Sequence, residues 1–112
     1  MANKELFTRS ATELLILSVL SEQDMYTYQI GQEIKKRSEG LFCLSDGVLY
    51  AILYKLAKEN YLSEWTQEVK RSIRVYYHLE ETGRLYYEQC LEEYRKTSRC
   101  LNKLLDIGED CL

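Results

Sequence analysis

Apolar residues fall into segments along the chain, and the change in their spacing from one segment to the next marks the elements. The run Leu14–Leu20, LLILSVL, is apolar nearly all round, as a helix buried on more than one side requires. Just ahead of it, Ser10-Ala11-Thr12-Glu13 has the form of a capping box, so the first helix is expected to start at Ser10. Ser21 to Asp24 is polar and predicts a turn. A second helix is expected from Thr27, with Thr27 as its cap, Ile30 and Ile34 facing inward, and an end near Ser38-Glu39-Gly40. Residues Leu41 to Leu44 then connect to a third helix capped by Ser45, whose Leu49, Leu53 and Leu56 share one face. Asn60 suits the left-handed conformation that ends such a helix.

The period then changes. Tyr61 to Trp65 and Val75 to Leu79 are rich in aromatic and β-branched residues, with turn-prone polar residues between them, which predicts a β-hairpin. A last helix should run from Glu81 to about Ile107, with Gly108 as its stop. On it Tyr87, Cys90, Tyr94, Thr97, Leu101 and Leu104 recur at spacings of three and four, a heptad-like seam. Such a helix is too long to pack wholly against so small a domain. Its stripe is covered either by a second copy of the chain in a two-fold dimer or by the first helix of the same chain.

Three helices followed by a hairpin give the fold class: mainly α with a small β-hairpin, a winged helix-turn-helix plus a long C-terminal helix. Residues 10–79 are expected to form the winged-helix unit and residues 80–108 the dimerisation helix. The layout places the third helix in a DNA major groove and the hairpin, the wing, against phosphates.

Charge changes this picture little. The 112 residues carry a net charge of −3. Residues 1–79 hold ten Lys and Arg against ten Asp and Glu, whereas residues 80–112 hold five against eight, so the acidic excess lies in the C-terminal segment. A DNA-binding face needs local positive potential rather than a positive total. No apolar run approaches the roughly 20 residues of a membrane span, and the N-terminus MANKELFTRS lacks the apolar core of a signal peptide. A cytoplasmic protein without a membrane partner is expected. Cys43, Cys90, Cys100 and Cys111 form no paired metal-ligand spacing, which argues against zinc and leaves them as packing residues or spectators. The single histidine, His78, has no triad partner at a motif spacing, and no Gly-rich phosphate loop is present. Neither an enzyme nor a cofactor is expected.

Several short stretches together carry a family resemblance. They are Tyr26-Thr27-Tyr28-Gln29-Ile30, Ser45-Asp46-Gly47-Val48-Leu49-Tyr50 with Leu53 and Leu56, Tyr61-Leu62-Ser63-Glu64-Trp65, and Tyr76-Tyr77-His78-Leu79-Glu80-Glu81-Thr82-Gly83. Over residues from about 12 to 98 the chain resembles the PadR-type transcriptional regulators, the phenolic-acid decarboxylase repressor type. The resemblance implies a dimeric winged-helix protein, usually a repressor of stress, efflux or detoxification genes, in many cases responsive to small aromatic or planar effectors. A single C-terminal helix corresponds to the short form of the family. Three positions depart from its pattern: Ala51 replaces a common proline, Thr27 a common glycine, and the wing reads Lys70-Arg71-Ser72-Ile73-Arg74-Val75 in place of a Gly-Gly-Arg-Arg-Lys-like run.

Candidate DNA-binding residues follow from the layout. Ser45, Gly47 and Val48 lie at the end of the third helix that addresses bases and phosphates, although Ser45 as an N-cap needs no DNA to explain it. Tyr50, Tyr54 and Lys55 are candidates on its outer face, with a core role expected for one of the two tyrosines. Tyr28 is placed to offer a hydroxyl to phosphate. Lys70, Arg71 and Arg74 would meet the backbone from the wing; the plainer reading is a solvated hairpin face. Lys35, Lys36 and Arg37 complement the dipole of the second helix. Of Tyr76 and Tyr77, at least one should face the core.

The effector habit comes from the resemblance alone. If two copies of the last helix cross near Tyr94, their rings flank a flat cavity walled by Glu13, Leu14, Leu17, Tyr87, Leu91 and Ser98; otherwise Tyr94 simply packs the seam. The sequence thus points to a homodimeric DNA-binding regulator, a repressor on a palindromic operator, with a small hydrophobic or aromatic effector that alters the distance between the reading heads. The reading it competes with is a winged-helix protein-interaction module without sequence-specific DNA binding.

Overall fold

Ser45 starts the third helix by accepting a hydrogen bond at its Oγ from the Val48 amide, 3.3 Å away. The computed structural model describes the backbone of residues 2–105 and the side chains of residues 11–105. Its elements run α1 (Ala2–Leu20), β1 (Met25–Tyr26), α2 (Thr27–Arg37), α3 (Asp46–Lys58), β2 (Leu62–Val69), β3 (Ser72–Leu79) and α4 (Glu81–Leu104). The arrangement is the winged helix-turn-helix with a long C-terminal helix that the apolar spacing predicts.

α3 ends as Asn60 suggests. Asn60 has φ 65°, its amide donates to the Ala57 carbonyl, and the Tyr61 amide donates to the Leu56 carbonyl, each at 3.0 Å. That pair of bonds is a Schellman motif, which satisfies two of the carbonyls a helix end leaves free. α2 closes in the same way. Glu39 and Gly40 both take positive φ, and their amides return to Lys36 and Lys35.

Two expected starts move. α1 does not begin at Ser10 but continues unbroken to Ala2, because the upstream residues Lys4, Glu5, Leu6 and Arg9 are good helix formers and no breaker separates them from the apolar run. The cap of α2 is Tyr26 rather than Thr27; the Tyr26 amide is satisfied by the Gln29 side chain at 3.2 Å. The stop expected at Gly108 and the thiol of Cys111 lie outside the described residues.

The wing is longer than its aromatic cores suggest. β2 and β3 pair from Leu62↔Leu79 out to Val69↔Ser72, leaving only Lys70 and Arg71 in the turn. Lys70 sits at φ 56° and Arg71 keeps a negative φ, the sign pattern of a II′ turn, whose first position normally holds glycine. The tight turn therefore forms without glycine, at the cost of a left-handed lysine. β1 adds a third strand, pairing Met25 with Tyr77 and Tyr26 with Tyr76 in the order β1-β3-β2.

The core is assembled from Ile16, Leu17, Val19 and Leu20 of α1, Ile30 and Ile34 of α2, Leu49, Ile52, Leu53 and Leu56 of α3, and Met25, Leu62, Tyr77 and Leu79 of the sheet. Tyr77 supplies the inward ring expected of the Tyr76–Tyr77 pair, whereas Tyr76 points to the opposite face of the sheet. Among the described residues no helix is long and apolar enough to cross a membrane.

Candidate nucleic-acid interface

With Leu49, Ile52, Leu53 and Leu56 turned into the core, the 100° step per residue turns Gly47, Tyr50, Ala51, Tyr54 and Lys58 outward on α3. Tyr50 is 55 % exposed and Tyr54 70 %. Neither serves the core, contrary to the expectation for one of them: the apolar arc of α3 is already filled by its four aliphatic residues. Ser45, Gly47 and Val48 lie exposed at the N-terminal end of the same helix. A Cβ at Gly47 would meet nothing within 4 Å, so the backbone there is open to close approach. Ala51 and Lys58 complete this face. Sequence reasoning passed over both, although helical spacing from Tyr54 places them on it.

Lys55 stands apart from that face. Its Nζ pairs with Glu13 Oε2 of α1 at 2.9 Å, and this bond, ahead of the carboxylate's charge, raises the lysine's pKa above its ordinary value. Helical geometry puts Lys55 on the flank of α3 toward α1 rather than beside Tyr54.

The wing divides its three basic residues. Lys70 and Arg71 form the exposed tip. Arg74 is held back on the sheet, its guanidinium carbon 4.5 Å from the centre of the Tyr26 ring in a cation–π contact. The same ring lies 6.4 Å from Tyr28, near-parallel to it, and 5.4 Å from Tyr76. Trp65 stacks on the other side of Tyr76 at 4.2 Å. One row of rings thus crosses all three strands and reaches Tyr28, which is exposed at the start of α2. Asp24 fastens the row: its carboxylate accepts from Trp65 Nε1 and pairs with His78 Nδ1, each at 2.8 Å. Tyr26 links Arg74 to Tyr28 here. Its alternation with Tyr28 was visible in the sequence, but its pairing with Tyr76 was not.

Of the basic run ending α2, Arg37 is engaged by carboxylates: it forms a bidentate pair with Glu22 at 2.6 and 2.8 Å and a bond to Glu33 at 3.0 Å. Hydrogen bonding from Arg37 holds the Glu22 carboxyl below its usual pKa.

The residues expected around Tyr94 are scattered. Leu17 is fully buried in the core and offers no surface to a cavity at α4. Glu13 faces α4, but its carboxylate already receives Lys55 and the Tyr86 hydroxyl. Tyr87 packs against the core, and Leu14, Leu91 and Ser98 are half-buried. The seam of α4 splits into two parts. Its first half, with Tyr87 and Cys90, lies against the chain's own domain, while Tyr94, Leu101, Leu104 and the adjoining Leu105 remain exposed. Burial, then the Glu13 and Glu93 charges, raises the Cys90 thiol pKa above its usual value.

The family model described as the transcriptional regulator PadR-like family matches residues 16–89, from the core of α1 through the first part of α4. The chain belongs to that family. As a PadR-like protein it is a DNA-binding transcriptional regulator of the winged-helix type. A transcriptional regulator from Clostridium thermocellum is 32 % identical, with a TM-score of 0.80 over 85 % of this chain and 93 % of that one. A PadR family transcription regulator from Clostridium difficile is 26 % identical, with a TM-score of 0.72 over 84 % of this chain and 97 % of its own. A PadR-like transcriptional regulator from Bacillus cereus, also 26 % identical, has a TM-score of 0.72 over 87 % and 92 %. The match covers both the reading helix and the wing, the two parts on which the interface depends.

Proposed function

We propose that this PadR-like regulator is a homodimeric repressor that reads a palindromic operator through the Gly47, Tyr50, Ala51, Tyr54 and Lys58 face of α3, with Lys70 and Arg71 on backbone phosphate. The observation that carries the reading is the outward face of α3, where two large phenols stand in solvent on a helix whose apolar arc is already complete. Ser45, Val48 and Tyr28 extend the contact toward the phosphates, and Arg74 supports it from the Tyr26 ring.

Two features of α4 support the dimer. Its second half exposes Tyr94, Leu101 and Leu104, and the C-cap residue Leu105 is exposed beside them. Its charges also divide at Tyr94: Glu81, Glu88, Glu92 and Glu93 precede it with Arg84, and Arg95, Lys96, Arg99 and Lys103 follow it. An antiparallel pair crossing at Tyr94 sets the acidic half of each helix against the basic half of the other and covers both apolar stripes, including Thr97. The effector enters the flat space between the two Tyr94 rings, with Leu14, Tyr87, Leu91 and Ser98 as walls, and changes the separation of the two α3 helices through α4.

Light scattering together with competitive DNA binding tests the proposal. The protein is expected to be a dimer at micromolar concentration and to prefer its operator over random duplex by at least about 10³-fold. Tyr54→Ala should erase most of that preference. A monomer, or equal affinity for both duplexes, would remove the reading.

A further inference from the structure

We infer that Glu13 is a positioning residue for the reading helix, its carboxylate clamping Lys55 of α3 and Tyr86 of α4 together so that α4 fixes the rotation at which α3 presents Tyr50 and Tyr54. The inference rests on the DNA-binding reading and adds a route from α4 to α3 that does not pass through the wing.

The geometry is a three-helix junction. Glu13 projects from α1, its side chain only 17 % exposed, and each carboxylate oxygen has its own partner. Oε2 takes Lys55 Nζ at 2.9 Å and Oε1 takes the Tyr86 hydroxyl. The Tyr86 ring is fixed independently. It stacks on Tyr61 at 4.3 Å and 8°, and Tyr61 is the residue whose amide closes the α3 C-terminus onto Leu56. Further along the same contact, Thr82 Oγ1 donates to the Asn60 carbonyl at 2.7 Å. α4 therefore holds α3 at two places, its C-terminal cap and, through Glu13, the flank at Lys55.

Two off-axis anchors act on a motion that apolar packing resists poorly. The ridge of Leu49, Leu53 and Leu56 sets how near α3 lies to the core, but a helix can roll a few degrees on such a ridge. A roll of about 10° moves an atom 6 Å from the helix axis by about 1 Å, enough to spoil hydrogen bonds to base edges. Lys55 adjoins Tyr54 in sequence, so its tether opposes that roll directly. A shift of α4 on dimerisation or ligand entry would reach the tether through Tyr86.

The full chain tests this with Glu13→Gln, Tyr86→Phe, Lys55→Met and the Lys55/Tyr86 double variant, each checked for folding by thermal unfolding. Operator affinity should fall about tenfold in Glu13→Gln and Tyr86→Phe, while affinity for random duplex stays within about twofold, because non-specific binding depends on charge and not on base-edge geometry. The double variant should lose markedly less than the product of the two single losses, and the non-additivity should vanish in a Glu13→Gln background. Equal losses on both duplexes, or additive losses, overturn the inference. A measurement without DNA separates its failure from that of the DNA reading. Amide exchange across Ala51–Lys55 should speed up about tenfold in Tyr86→Phe, and unchanged exchange overturns the clamp whether or not the protein binds an operator.

Discussion

The carbonyl oxygen of Tyr61 lies so close to Gly83 that a Cβ at position 83 would stand 2.2 Å from it, with Leu79 Cδ1 at 2.7 Å. α4 begins against the cap of α3 at this point, and only a residue without a side chain permits the approach. The Glu80 amide donates to the same carbonyl at 2.9 Å, so the carbonyl cannot simply retreat. Gly83→Ala should destabilise the fold by about 3 kcal/mol, at the upper end of overpacking costs, read from the denaturant midpoint. A change below about 0.5 kcal/mol would mean that the junction yields freely.

At the wing tip the strain runs the other way. Lys70 holds φ 56° in a two-residue turn, where an ordinary L-residue costs about 1 kcal/mol that glycine does not. Lys70→Gly should therefore raise stability by about 1 kcal/mol in equilibrium unfolding and lower DNA affinity through the lost charge. A destabilised variant would contradict the turn described above.

The junction around Glu13 predicts a dependence on alkaline pH. Cys90 and Tyr77, chiefly by burial, Tyr86, by burial and then Glu13, and Lys55, by its bond to Glu13, all hold their protons more tightly in the folded chain. A pKa raised on folding contributes stability that is complete below the unfolded value and is lost as pH rises through the folded one. Melting temperature should hold near neutrality and fall from about pH 8 upward, where an unfolded thiol begins to ionise. Tyr86→Phe should flatten the part of the decline above pH 10. At pH 8, iodoacetamide should modify exposed Cys43 and Cys100 well before Cys90. Equal rates would mean that the thiol is not shielded.

A planar cationic dye such as an acridine is a direct probe of the space between the two Tyr94 rings. Dye binding should fall at least about tenfold in Tyr94→Ala and should change operator affinity in the wild type. Glu13 is already occupied by Lys55 and Tyr86, so a neutral planar dye should bind about as well as a cationic one. Bound dye without any change in operator affinity would contradict the coupling.

Local signals in the sequence foretold much of this structure. Ser45 as a cap, Asn60 in the left-handed region and the Leu49-Leu53-Leu56 face depend on neighbours a few residues away, and each is found where the pattern places it. Features set by distant partners were not legible. Nothing near Arg74 reveals that it lies on Tyr26, far upstream in the chain, since that contact requires β1 to pair with β3. Nor does the sequence around Lys55 reveal Glu13, which comes within reach only when α1 crosses α3. The start of α1 was misplaced for the opposite reason: Ser10-Ala11-Thr12-Glu13 satisfies a local capping rule that eight further helical residues, from Ala2, override.

Operator recognition and the role of the wing are both read by salt-dependent binding to the promoter upstream of the protein's own gene, with the wild type compared against the Lys70→Ala/Arg71→Ala/Arg74→Ala variant. Tight, sequence-selective binding by the wild type is expected, with a log–log salt slope shallower by about two units in the variant, one each for the phosphate contacts of Lys70 and Arg71. Wild-type binding no stronger than to random duplex would contradict operator recognition, and an unchanged slope would contradict the wing's place on the backbone.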